Sequence, residues 1–336
     1  MDHNVQAARL KDMLVHIGRM PEGAAPGNID GHLEGMAPLS AAAAIKAQLS
    51  AEQWSAAGQL LDGHSISLNK LAEIERIVRP VGRPAAIVTH GSFDVGPPWG
   101  HLMKNPARAT ISRALMSVGQ IAVPGDAVNP LAGTGFLVGD RLLMTNRHVA
   151  EIFVQGIGTS NLRLRAGMAP VIDFDAATRV KIEQAVLMHP YWDLALLRVA
   201  AVPSHIKPLI LARTLPGSSE REIVVIGFPG GSASQPHEPE YEDELKTFGA
   251  QYDLKRVQPG QLGPRMSVDS DGTMVMALTH DSSTRGGNSG SPLLDVRTGQ
   301  VLGLHFDGAY LKQNYAVPSD ELARDPEVVA AGVQFA

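Results

Sequence analysis

After residue 119 the chain becomes a succession of short β-prone runs separated by turn residues. This pattern constrains the fold more than any other feature of the sequence. Gly135 to Val138, Glu222 to Ile226, Met274 to Leu278 and Val301 to Phe306 are examples, and many short strands with turn clusters predict a barrel or a sandwich. Upstream the pattern is helical and alanine-rich. Val5, Ala8, Leu14 and Ile17 fit one helix face, and residues 40–49 and 51–61 predict a helical pair. Ser50 and Gln53 read as a capping box for the second helix of that pair. Leu68, Leu71, Ile74 and Val78 recur at helical spacing. Residues 21–35 and 80–100 are punctuated by glycine and proline and read as loops. Asn105 and Pro106 predict a cap and first-turn proline for a helix through Met116. The reading is therefore a helical N-terminal region with a linker over 1–100, followed by a β-rich domain over 101–336.

A chain of 336 residues can bury a core without covalent staples. It has no cysteine, which excludes disulfides, cysteine-ligated zinc and thiol catalysis. A net charge of −5 argues against a nucleic-acid partner. No apolar run approaches the ~20 residues that span a bilayer, so no membrane partner is expected. The first ten residues lack a secretory pattern, and the sequence is read as cytoplasmic.

The chemistry concentrates in Gly286-Gly287-Asn288-Ser289-Gly290-Ser291-Pro292, a glycine-rich turn before the predicted strand 292–294. A serine hydroxyl is a poor nucleophile until a base takes its proton. A histidine ends the strand-like run from Leu142 to Val149, at His148, and a carboxylate opens another run, at Asp193. The order His, Asp, Ser is one of three chain orders in which such a triad occurs. The competing serine chemistry of α/β-hydrolases needs Gly-x-Ser-x-Gly and a different order, and this sequence supplies neither.

Together, Thr145-Asn146-Arg147-His148-Val149, Asp193-Leu194-Ala195-Leu196 and the Ser289 turn resemble the trypsin-like serine peptidases of the chymotrypsin fold. The likeness is to their cysteine-free bacterial branch, which includes the glutamyl endopeptidases, and it covers residues 119–318. It implies a mainly β protein with two six-stranded antiparallel β-barrels. It further implies that Ser289 attacks the scissile carbonyl, His148 moves the proton, and Asp193 orients the imidazole. Gly287 and Ser289 would supply the oxyanion-hole N–H groups. The substrate would be a protein or peptide, with no cofactor and no metal. Animal members place an aspartate before the nucleophile to receive a new N-terminal amine. Asn288 stands there instead, so activation by that ion pair is not expected and the hole should be preformed.

For the primary pocket the resemblance points to Ser283, Thr284, His305 and Tyr315. Ser283 removes the carboxylate that would select Lys or Arg. Thr284 and His305 stand where glutamyl endopeptidases hold glutamate, with Asp307 replacing a glycine nearby. The run Asn314 to Ser319 resembles the matching strand of Deg-type proteases, where an aromatic at Tyr315 would shorten the pocket. Acidic and small aliphatic preferences both stay open. The acidic segment 236–244 reads as a solvated loop, and the context of His189 argues against a metal. The helical region is either a packed appendage or a recruitment or autoinhibitory module with its own protein partner. A catalytically idle binding protein on the same fold is the rival to the endopeptidase reading.

Overall fold

The structure, a computed structural model, describes residues 7, 10, 11, 14, 49–67, 70, 74, 82–126, 130–215, 221–230, 241–249, 251–270, 272–309 and 313–336. The chain folds as two compact units. The first takes Met1–Pro84, Val95–Met103 and Ala233–Ala250; the second takes Ala85–Asp94, Lys104–Ser232 and Gln251–Ala336.

In the first unit, helix α1 (Ala51–Leu61) starts at the expected capping box. Ser50 Oγ accepts from Gln53 N at 3.2 Å, and Gln53 Oε1 accepts from Ser50 N at 2.8 Å. The apolar face of α1 buries Ala56, Ala57 and Leu60 with Leu10, Leu14, Ile66 and Ile74. Of the helix expected over 40–49, all but Leu49, which sits in a bend, lies outside the described residues. So do most residues of the helices expected near 5–17 and 68–78, although positions 7, 10, 11, 14, 70 and 74 are helical. The acidic segment is not wholly a loop: its C-terminal part belongs to a helix, Tyr241–Phe248, whereas 231–240 lie outside the described residues.

The second unit is mainly β. Strands β2 (Val118–Ala122), β3 (Leu131–Gly139), β4 (Leu142–Thr145), β7 (Val171–Asp173), β8 (Arg179–Met188) and β9 (Ala195–Val199) close a barrel in the order β2-β3-β4-β9-β8-β7. Its interior holds Ile121, Leu137, Leu143, Phe153, Ile172 and Leu197. A two-stranded ribbon, β5 (Val154–Gln155) with β6 (Arg163–Leu164), leaves it between β4 and β7.

The other sheet corrects the expectation of two equal six-stranded barrels. It has seven strands, in the order β1-β11-β10-β13-β14-β15-β12, and a further β11–β12 pairing bends six of them into a ring. These are β10 (Glu222–Gly227), β11 (Arg256–Ser270), β12 (Thr273–His280), β13 (Pro292–Asp295), β14 (Val301–Ala309) and β15 (Gln313–Pro318). The seventh strand, β1 (Ala86–Ile87), pairs with Val257 and Arg256 of β11. It lies in a segment that reads as a loop, because two residues are too short to show a period. The ring buries Ile223, Val225, Leu262, Leu278, Leu293 and Leu302.

The helix before β2 spans Ala107–Leu115, with Pro106 rather than Asn105 in the cap position and no side-chain cap bond. After β15 come two short helices, Ser319–Leu322 and Pro326–Ala330. The tail then returns to the closed barrel, where Gln334 N donates to Val138 O at 2.8 Å. Among the described residues no helix is long and apolar enough to cross a membrane.

Candidate active site

His148 does not end a strand. β4 stops at Thr145; Asn146 takes an extended cap conformation (φ −76°, ψ 154°), and a single helical turn, Arg147–Glu151, follows. That turn buries Arg147, Val149 and Ala150 and leaves the His148 side chain 42% exposed. The turn was hidden in the sequence because it is too short for helical periodicity.

Asp193 sits in the β8–β9 connection and its side chain is almost fully buried. Its Oδ2 lies 2.6 Å from His148 Nδ1, and its Oδ1 accepts from the His148 backbone N–H at 3.0 Å. One carboxylate thus fixes both the ring and the main chain of the same histidine. An ionised carboxylate only accepts, so the proton of the pair lies on Nδ1 and Nε2 is the acceptor nitrogen of the ring. Flanking side chains hold the two loops together. Asn146 Nδ2 donates to Asp193 O at 2.8 Å, and Arg147 Nη1 donates to His189 O at 3.0 Å.

The Ser289 turn is held almost entirely by backbone. Thr134 N of β3 donates to Ser289 O at 2.9 Å, Gly290 N donates to His305 O at 2.9 Å, and His305 N donates to Ser291 O at 2.9 Å. The Thr134 hydroxyl also donates to Gly287 O at 2.7 Å. Gly287 and Gly290 have φ of +87° and +90°, where L side chains are strained, and a Cβ on Gly287 would collide with Phe228 O.

These bonds orient the peptide groups around Ser289. Gly286 O accepts from Gly230 N at 2.6 Å. The 286–287 peptide is trans, so its N–H points away from Gly230. Among the described residues neither Gly287 N nor Ser289 N has a backbone acceptor. These two N–H groups stand on either side of Asn288.

Asn288 is fully buried, and its amide pairs with the amide of Gln258 on β11. Gln258 Nε2 donates to Asn288 Oδ1 at 2.8 Å, and Asn288 Nδ2 donates to Gln258 Oε1 at 3.1 Å. Ser291 Oγ lies 3.4 Å from the same Asn288 oxygen. A neutral, reciprocally satisfied pair therefore occupies the ground under the Ser289 turn.

The residues read as a primary pocket separate into two faces. Thr284 Oγ1 donates to Asn314 Oδ1 at 2.6 Å, and Asn314 Nδ2 donates to Ser282 O at 2.7 Å. His305 is buried, and its Nδ1 lies 3.1 Å from His280 Nε2. Burial, reinforced by nearby His148, pushes the His305 pKa down to about 3. The ring is therefore neutral at ordinary pH. In register, His280 stands opposite Asn314 and His305 opposite Ala316, so these four share a face of the ring. Tyr315, next to Asn314, turns to the opposite face, where its ring stacks on Phe306 with centroids 6.3 Å apart. Ser283 is half-buried. Asn314, His280 and Gln258 escaped the sequence reading, because their places depend on strand register.

A buried carboxylate bonded to an exposed imidazole, and a serine in a glycine-rich turn, are the group types on which nucleophilic acyl-transfer hydrolases rely. A family model described as the trypsin-like peptidase domain matches residues 133–304, half of the chain. The chain belongs to this family. It is 28% identical over 239 residues to serine protease Rv3671c of Mycobacterium tuberculosis, covering 70% of this chain and 51% of that protein. A crystal structure of the active form of that protease aligns with a TM-score of 0.46 and 23% identity, over 66% of this chain and 83% of the other. Glutamyl endopeptidase of Staphylococcus epidermidis is 25% identical over 194 residues, 56% of this chain and 58% of the enzyme. Protease Do-like 5, chloroplastic, of Arabidopsis thaliana is 26% identical over 213 residues, 60% and 58%. The chain spans about half the length of the mycobacterial protease it matches.

Proposed function

We propose that the chain is a serine endopeptidase that cleaves protein substrates through an acyl-enzyme. Ser289 Oγ attacks the scissile carbonyl as His148 Nε2 takes its proton. The N–H groups of Gly287 and Ser289 receive the oxyanion, and His148 returns the proton to the leaving amine. Asp193 holds the imidazole and stabilises its charged form. The observation that carries this reading is the double grip of Asp193 on His148, by Nδ1 and by backbone N–H. It fixes the tautomer that the chemistry requires.

The test is labelling with a fluorophosphonate alongside cleavage of a casein-type substrate. A labelled Ser289, with label and cleavage both lost in Ser289→Ala, is expected. Asp193→Asn should keep the fold and lose about 10⁴-fold in kcat. A folded chain that neither labels nor cleaves would overturn the reading and leave a binding protein on a peptidase fold.

An acidic side chain before the cleaved bond fits the pocket residues better than a small aliphatic one. Tyr315 faces away from Asn314, which removes the reason to expect a shortened pocket. The neutral His305 ring, its Nδ1 turned to His280, offers a hydrogen bond that an aliphatic side chain would leave unused. Cleavage of a peptide library tests this, with glutamate against alanine, valine and lysine at that position.

A further inference from the structure

The loop that carries Asp193 is wrapped around a second histidine. His189 N donates to Leu194 O at 2.9 Å, so residues 189–194 form a closed loop with Asp193 inside it. The His189 side chain is 5% exposed. Its Nδ1 accepts from the backbone N–H groups of Tyr191 at 3.0 Å and Trp192 at 2.9 Å. Two donors converging on Nδ1 leave no room for a proton there, so the proton lies on Nε2. That nitrogen faces Asp325 Oδ2 at 3.0 Å.

Asp325 is committed on both oxygens. Its Oδ1 accepts from Glu327 N at 2.9 Å and Val328 N at 3.0 Å, capping the helix Pro326–Ala330. Burial opposes its charge, but the bonds from His189 and from the Val328 and Glu327 N–H groups, with the nearby imidazole, hold its carboxyl below the usual range. The opposite side of the loop is gripped by Arg147 Nη1, which donates to His189 O at 3.0 Å and Pro190 O at 3.2 Å. Arg147 immediately precedes His148. The loop is thus suspended between the neighbour of the base and the C-terminal segment, and that segment is tied to β3 through Gln334.

A histidine that merely filled a polar hole would not need both nitrogens engaged in this way. Here one nitrogen templates the loop backbone one to two residues before Asp193, and the other locks the template to a carboxylate 136 residues away in sequence. We propose that His189 and Asp325 are positioning residues for the catalytic acid: a second histidine–aspartate pair that sets the 189–194 loop, and with it the Asp193 carboxylate, from the C-terminal segment. The proposal rests on the triad reading above.

Two single variants separate the two grips. His189→Asn keeps an oxygen near Nδ1 for the loop N–H groups but cannot reach Asp325. Asp325→Ser keeps a helix cap, since serine caps about as well as aspartate, but loses the acceptor for Nε2. Measured per Ser289 labelled by the fluorophosphonate, each is expected to lower kcat about tenfold to a hundredfold with KM little changed. The proton resonance of His148 Nδ1–H should move in both variants. The double variant should lose little beyond either single one, because both break the same link. If kcat per labelled site stays at the wild-type value in both variants, or only the melting temperature falls, the pair is structural and the proposal is overturned. If the wild-type chain itself neither labels nor cleaves, the triad reading fails first and takes this one with it.

Discussion

Asn288 and Gln258 pair amide to amide beneath the Ser289 turn, each donating to the other, in a place neither shares with solvent. The residue before the serine is therefore satisfied within the folded chain and waits for no charge from elsewhere. On the proposed reading, the turn should assume its working shape without a newly made N-terminal amine. The 336-residue chain should react with a fluorophosphonate before any proteolytic trimming, which intact-mass analysis of the adduct would read. Gln258→Leu should leave the buried Asn288 amide with lost partners, at a cost of about 1–3 kcal/mol. If part of that cost falls on the oxyanion turn, kcat drops roughly tenfold. Asn288→Asp replaces a donor with an acceptor facing Gln258 Oε1 and should be at least as damaging.

Gly287 offers a sharper test of the hole itself. Its φ of +87° and the approach of Phe228 O leave no place for a Cβ. Gly287→Ala should therefore swing the 286–287 peptide off Gly230 and misdirect one N–H donor. Losing one such donor costs about 10²–10³ in kcat, so a loss of that size is expected with KM close to unchanged. Steady-state kinetics on a peptide ester, where acylation is easier, should show a smaller loss than on an amide.

How far the sequence announces this site depends on whether a feature is local. The Ser289 turn is readable because its glycines mark the strained backbone that it needs. The strands at 222–227, 273–280, 292–295 and 301–309 are readable because they are compact apolar runs between turn residues. Gln258 and His280 are not readable in this way. Nothing near Gln258 hints at a partner 30 residues onward, and His280 meets His305 only through the β12–β15–β14 register. Tyr315 shows the same limit in reverse. Its type fits a pocket, but strand alternation gives the inward place to Asn314 and sends Tyr315 to the other face. The one-turn helix that carries His148 is not readable either, since so few residues cannot display a 3.6 period.

Pocket preference should respond to Thr284→Val, a near-isosteric change that removes one hydroxyl. The hydroxyl donates to Asn314 Oδ1 at 2.6 Å, so its loss frees Asn314 and withdraws a polar contact from the pocket. The expected result is a fall of about tenfold in kcat/KM for glutamate before the cleaved bond, equal to roughly 1.4 kcal/mol. Cleavage after alanine or valine should hold steady or rise. Because His305 is held neutral down to about pH 3 by burial and by nearby His148, the glutamate-to-alanine ratio should change little across the ordinary histidine range, roughly pH 5.5–7.5. A steep loss of glutamate preference as pH rises through that range would show that a charged imidazole reads the substrate.

Acid stability should be governed in part by Asp295, at the end of β13. Burial opposes its ionisation, but hydrogen bonds from Arg221, Thr298 and the Arg297 N–H, with the Arg221 charge, outweigh it and hold the carboxyl below its usual value. The bonds are direct: Arg221 Nε donates at 3.0 Å, Thr298 Oγ1 at 2.7 Å and Arg297 N at 2.9 Å. A depressed folded pKa means that the unfolded chain binds the proton more readily. The stabilisation is therefore complete above the unfolded value, about 3.9 for aspartate, and is lost as pH falls through the lower folded value. Asp295→Asn leaves Arg221 facing a neutral amide and should destabilise the chain by about 3 kcal/mol at neutral pH. Thermal unfolding of both proteins from neutral pH down into the acid range checks the sign. The gap between them should be widest at neutral pH and close below the ordinary aspartate range, and a gap that stays constant or widens in acid would show that the ionised carboxylate is not what holds β13 to Arg221.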